Sequence, residues 1–189
     1  MIGEDIRSYY AQGRELDRLS TGIGRLEFIR TWDVLMRTLP RAPARILDIG
    51  GGTGVYAAPL AEKGYQVHVI DPVPGHVAAA AACSGVTASC GDARAIDEPD
   101  GEANAVLLLG PLYHLTDRKD RLRVWREAGR VARPGAPIVA ETALGLAADA
   151  VNQVLDDPAA TESLLARLRQ VEAEPSLHGH GHLLTVAHR

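Results

Sequence analysis

Three aspartates stand where apolar runs of this chain break: Asp48 just before Gly50-Gly51-Gly52-Thr53-Gly54, Asp71 before Pro72, and Asp92 after Gly91. A carboxylate at such a break can accept hydrogen bonds from the hydroxyl or amino groups of a ligand. Glycine supplies the positive-φ backbone that other residues avoid and leaves room for a ligand to touch bare peptide. Asp48, Gly50, Gly52 and Gly54 fall at alternate positions, the pattern of a buried strand made to stop and turn sharply. A helix beginning near Val55 would aim free N–H groups at a carboxylate or phosphate. The expected ligand is small and partly anionic. Asp71 follows Gly50 by 21 residues, where a carboxylate can take both ribose hydroxyls of an adenosine, and Asp92 could accept from an adenine amino group. NAD is the obvious rival, because Gly52, Gly54 and Ala57 fit a relaxed G-x-G-x-x-A pattern with Asp71 for its ribose.

These residues need a scaffold, and the chain spells one out. Residues 4–38 have helical periodicity, divided into two helices at Thr21-Gly22-Ile23-Gly24, and Pro40 and Pro43 lead out of them. Strands are expected over 45–49, 66–70, 86–90, 104–109 and 136–141. Between them fall helices over 55–63, 75–83 and 119–132, the last with Leu122, Trp125, Gly129 and Ala132 on its inner stripe. The run 104–109 is apolar enough to be buried on both faces. Five strands with three helices alternating between them imply an α/β fold with a doubly wound, mostly parallel sheet and right-handed crossovers. Ligands of such sheets lie at the carboxyl ends of the strands, where the strand order reverses. Later segments read as a helix over 144–156, another from Asp157-Pro158, and a last strand over 182–187.

Composition narrows the function. With 189 residues the chain is expected to be a single domain with a real core, and 46% hydrophobic content is ordinary for a globular protein. A net charge of -4 gives no reason to expect nucleic acid or an anionic membrane as partner. No apolar run approaches the ~20 residues of a membrane span, and Met1-Ile2-Gly3-Glu4-Asp5 lacks the features of a secretory signal. A cytoplasmic location is expected. Cys83 and Cys90 are too few for a disulfide framework or a cysteine zinc site and read as buried packing residues. His178, His180 and His182 alternate, but the intervening glycines and the lack of nearby acids or thiolates favour a turn, so no metal is expected.

Taken in order, these motifs resemble the class I S-adenosylmethionine-dependent methyltransferases, particularly those acting on small molecules. Residues 46–54 are similar to that family's first motif, Val69-Ile70-Asp71-Pro72 to its second-strand acidic motif, and Gly91-Asp92-Ala93 to its adenine motif. Residues 108–115 and Arg133-Pro134-Gly135 complete the set, so the likeness covers residues 1–141. It implies a Rossmann-like domain with a helical lid (1–40), a cofactor-binding core (41–141) and a C-terminal part (142–189). It further implies that Asp48, Gly50, Gly52, Gly54, Asp71, Pro72, Asp92, Ala93 and Gly110 surround S-adenosylmethionine, and that Tyr9, Tyr10 and Arg18 belong to the lid or substrate contacts. Methyl transfer needs mainly proximity and alignment. A base is required only for a protonated acceptor; His114 is the candidate, with Tyr113 to orient the acceptor.

The chain departs from this family after Glu141, where only 48 residues follow. The expectation is a reduced C-terminal strand set, with one strand and the acceptor-shaping segment missing. A sheet edge left bare in this way tends to pair or be covered, so a homodimer through the C-terminal region is expected. The alternative function is a methyltransferase-fold protein repurposed for a non-methylating reaction or for binding.

Overall fold

The computed structural model describes residues 22–142, 159, 162 and 183–188. They divide between two compact units, one containing residues 38–142 and 184–188, the other residues 22–37, 159, 162 and 183. Tyr9, Tyr10, Arg18, His178, His180 and His182 lie outside the described residues, as do the first expected helix and nearly all of the two expected after Glu141.

Helix α1 (Gly22–Thr38) starts at the expected Thr21–Gly24 break. Phe28 stacks on Trp32 one turn later, with ring centroids 6.0 Å apart. Asp33 pairs with Arg30 behind it and Arg37 ahead of it, spacings that put all three on one helical stripe.

The larger unit is built around a sheet. Strands β1 (Arg45–Ile49), β2 (Gln66–Asp71), β3 (Val86–Cys90), β4 (Ala105–Leu108) and β5 (Pro137–Thr142) fall within a residue of their expected places. With β6 (Leu183–His188) they form a six-stranded sheet in the order β3-β2-β1-β4-β5-β6. All pairings among β1 to β5 are parallel. The order runs outward from β1 in one direction, then resumes at β4 in the other, which places the switch point between β1 and β4.

Two layers of helix account for the apolar strands. Helices α2 (Ala57–Glu62) and α3 (Pro74–Ala81) pack on β2 and β3 and bury Ala57, Leu60 and Ala80. On the opposite face α4 (Arg118–Val131) covers Leu47, Ile49, Val106, Leu108 and Ile138. β4 lies between the layers and is buried along its length, as its unbroken apolar run implies. The expected Ala132 is buried in the core at the end of α4, but the rest of the inner stripe differs from expectation. Val124, Ala128 and Val131 face the core, whereas Leu122 is the one large hydrophobic side chain exposed among the described residues. The smaller residues at i, i+4 and i+7 allow close approach to the sheet, and Trp125 packs against the edge of that core rather than inside it.

The layer thins toward β3, and polar residues take over. His68 bridges Thr87 Oγ1 (2.8 Å) and Ser89 Oγ (2.9 Å) across β2 and β3. Beyond β3 the segment 92–100 is stapled onto α4: Glu127 accepts from Ile96 N, and Arg130 donates to the carbonyls of Ile96 and Glu98.

Candidate cofactor site

The glycine loop leaves β1 at the switch point, and its glycines have different duties. Gly50 has φ +71° and donates its N–H to Ile70 O at 2.7 Å. A Cβ on Gly50 would lie 2.8 Å from Pro111 Cδ, and one on Gly110 would lie 2.8 Å from Gly50 O. The ends of β1 and β4 therefore meet main chain against main chain, and neither position tolerates a side chain. Gly54 (φ +88°) closes the loop against Ala80 and Cys83 of the α3 region. Gly52 (φ +58°) is the exception: among the described residues nothing lies within 4 Å of where its Cβ would point. Within the described residues that face of the loop is open, with room for a ligand against bare backbone.

Asp48 sits beneath the loop. Its side chain is 1% exposed, and neither carboxylate oxygen has a hydrogen-bond partner among the described residues. A Cβ on Gly51 would come within 2.5 Å of Oδ2, so the carboxylate lies directly under the turn. Burial pushes the Asp48 carboxyl up to about 7, and the neighbouring charge of Asp71 adds to the effect. A buried acid left without a donor is costly, and a ligand bearing positive charge relieves that cost.

Asp71, 4% exposed, turns toward the loop. Its Oδ2 accepts from Gly52 N at 3.0 Å, and Oδ1 accepts from Val73 N at 2.9 Å and lies 3.1 Å from His76 Nδ1. A carboxylate offers about four lone-pair directions. Among the described residues three are engaged, which leaves one on Oδ2. Pro72 carries the chain from Asp71 into α3. His76, buried in the first turn of that helix, fixes the orientation of Asp71. It escaped the sequence reading because its spacing from Asp71 becomes meaningful only once Pro72 and Pro74 bend the chain.

Asp92 and Ala93 follow β3, where Gly91 is required because a Cβ would meet Ile70 Cγ2 at 2.5 Å. Asp92 is locked to Arg94, which donates from its backbone N and its Nε to Oδ1 and from Nη2 to Oδ2. Arg94, too, was not among the expected residues. Pro111–His114 form a 3-10 turn after β4, with His114 half-buried and Tyr113 in the same turn. The expected helix from 55 begins instead at Ala57 and has six residues. The turns of 50–56 fill the interval, so the ligand-facing amides belong to the loop and not to a helix end.

Asp48, Asp71 and Asp92 thus lie at the carboxyl ends of three adjacent strands, with Gly110 at the end of the fourth. The open face at Gly52 and the orphaned acid beneath it fit an adenosine carrying a cationic amino-acid tail.

Comparison with known proteins agrees. Residues 46–135 match the methyltransferase-domain family. An uncharacterized methyltransferase of Mycobacterium tuberculosis is 37% identical over 98 residues, which cover 51% of this chain and 39% of that protein. The chain thus spans about two fifths of the length of the curated relatives it matches. A crystal structure of an S-adenosylmethionine-dependent methyltransferase from Methanosarcina mazei has a TM-score of 0.54 at 25% identity, over 68% of this chain and 66% of the other. The [4+2]-cyclase SpnF also has a TM-score of 0.54, at 30% identity over 59% of this chain and 43% of the cyclase. Residues 46–135, just under half of the chain, thus match a methyltransferase domain, and the glycine loop and parallel sheet around them are those of the class I S-adenosylmethionine-dependent methyltransferases.

Proposed function

We propose that this protein transfers the methyl group of S-adenosylmethionine to an oxygen, nitrogen or carbon of a small molecule. The observation that carries this reading is the buried Asp48 carboxylate, without a hydrogen-bond partner among the described residues, beneath a glycine loop that those residues leave open. The bound cofactor supplies an electrophilic methyl on a sulfonium that is already a good leaving group. The chain's own residues bind and align. Asp48 compensates the ammonium of the methionine tail, and Gly50 and Gly52 present main chain beside it. Asp71 Oδ2 takes a ribose hydroxyl, Asp92 and Ala93 meet the adenine edge, and the carbonyl of Gly110 faces the amino group. His114 accepts the proton of an acceptor that arrives protonated, and Tyr113 orients that acceptor. Tyr9, Tyr10 and Arg18 close over the site. We further propose a homodimer joined through the C-terminal region.

A second reading has one observation behind it. Similarity to a cyclase shows that this fold also serves proteins named for a reaction other than methylation. On that reading the protein keeps the ligand site but transfers no methyl group.

Calorimetry with S-adenosylmethionine, S-adenosylhomocysteine and NAD tests the ligand. Binding of the first two without NAD is the expected result, and NAD binding alone overturns it. Incubation with a methyl-labelled cofactor and a metabolite library tests the reaction. Label in a small-molecule product supports transfer; tight binding with no labelled product supports the second reading.

A further inference from the structure

We propose that Arg94 is a positioning residue for base recognition: it fixes the Asp92 carboxylate as an acceptor-only group that selects adenine by its exocyclic amino group. The proposal rests on the adenosyl-cofactor reading above and adds to it a residue and a selectivity.

The geometry is that of a planar fork holding a carboxylate from one side. Arg94 Nε lies 2.9 Å from Asp92 Oδ1 and Nη2 lies 2.6 Å from Oδ2, while the Arg94 backbone N donates to Oδ1 at 2.9 Å. Three of about four acceptor directions are filled, leaving one, on Oδ2. One N–H of an amino group fits it. The exposures are unequal, at 14% for the Arg94 side chain and 40% for that of Asp92, so the guanidinium is covered while the carboxylate remains accessible. The hydrogen bonds from Arg94 hold the Asp92 carboxyl well below the usual range, so it stays an acceptor at any working pH. Hypoxanthine, which replaces the amino group with a carbonyl oxygen, would set acceptor against acceptor.

Arg94 has a second attachment. Its Nη1 donates to Asp120 Oδ2 at 2.5 Å, in the first turn of α4. The fork is therefore anchored to the helix that packs on the core, and Asp92 is held from a rigid element although it sits in a loop. Lysine cannot reproduce this arrangement, because a single ammonium lacks the planar set of donors. The far end of the segment is held separately by Glu127 and Arg130, so losing Arg94 releases the near end alone.

Calorimetric titration of S-adenosylhomocysteine and of S-inosylhomocysteine, its deaminated counterpart, tests the proposal. The wild type should bind the adenine form at least about tenfold more tightly, the size of one charge-assisted hydrogen bond. Arg94→Ala should reduce that preference to about threefold or less, with affinity for the inosine form nearly unchanged. Arg94→Lys, which keeps charge and bulk, should narrow the preference as well, and it decides the matter if the alanine variant does not fold. Equal loss for both ligands would reveal mere support of the fold and overturn the assignment, as would an undiminished preference. A wild type that binds the adenine form without discriminating also overturns it, yet leaves the cofactor reading intact. A wild type that binds neither ligand defeats the cofactor reading itself.

Discussion

Asp48 carries a pH signature. Its carboxyl is raised from the ordinary 3.8 to about 7 in the fold, so the unliganded folded state retains a proton that the unfolded chain has already released. The stability from this group is fully present at low pH and is lost as pH rises from about 4 through 7, by up to ~1.4 kcal/mol per pH unit. Asp92 acts in the opposite sense and in another window: its carboxyl is held down to about 2, so its contribution is present above about pH 4 and fades below. Urea unfolding at pH 5, 6 and 7 should show wild-type stability falling relative to Asp48→Asn; parallel curves would contradict this account. Asp71 makes a different prediction. Replacing it by alanine removes the charged acceptor of Gly52 N and, on the proposed function, of a ribose hydroxyl, and should weaken S-adenosylhomocysteine binding by ~1–3 kcal/mol, measured calorimetrically. Unchanged affinity would remove it from the site. Both aspartates were legible in the sequence because a carboxylate closing an apolar run just ahead of glycine or proline contributes nothing to packing and must find a polar partner. His76 and Arg94 were not. Each acquires its role from a partner two to five residues away, through a turn whose geometry the composition does not specify.

At the scale of elements, the glycine loop separates packing from binding. Gly50→Ala places a Cβ 2.8 Å from Pro111 Cδ at φ +71°, so it should destabilise the fold strongly. Gly52→Ala meets no described residue within 4 Å of its Cβ, only the backbone cost of φ +58°, on the order of 1–2 kcal/mol. The expected result is a Gly52→Ala protein that still melts cooperatively but has lost much of its ligand affinity, whereas Gly50→Ala shows a much lower melting temperature. Equal behaviour of the two variants would mean that Gly52 does not face the ligand. Strand positions were readable because β1, β2 and β4 are short apolar runs bounded by glycine, proline or acid. The inner face of α4 was not. Leu122 and Trp125 dominate any hydrophobic count, yet the sheet admits the smaller Val124, Ala128 and Val131. The late start of α2 has a similar origin, because a loop with three positive-φ glycines needs several residues of turn before a helix can form.

For the whole molecule, the question is what lies at the β6 end of the sheet. β6 follows β5 in the strand order and is the last strand there among the described residues. Unpaired strand edges recruit partners or covers, and the proposed homodimer supplies one. Light scattering at micromolar concentration should give twice the mass of the chain, 20.1 kDa; a monomer under those conditions rules the dimer out. The doubly wound, mostly parallel character of the sheet followed from strand–helix alternation and right-handed crossovers, whereas the order β3-β2-β1-β4-β5 came from the structure. Most of the residues after Thr142 lie outside the described residues.

The contact between Gly50 and Gly110 has a wider consequence. A Cβ on Gly110 would strike the Gly50 carbonyl and one on Gly50 would strike the Pro111 ring, so the seam between the two loops holds only while both positions stay bare. Residues beyond Pro111 lie outside that seam. They can be rewritten without resetting the turn that follows β1.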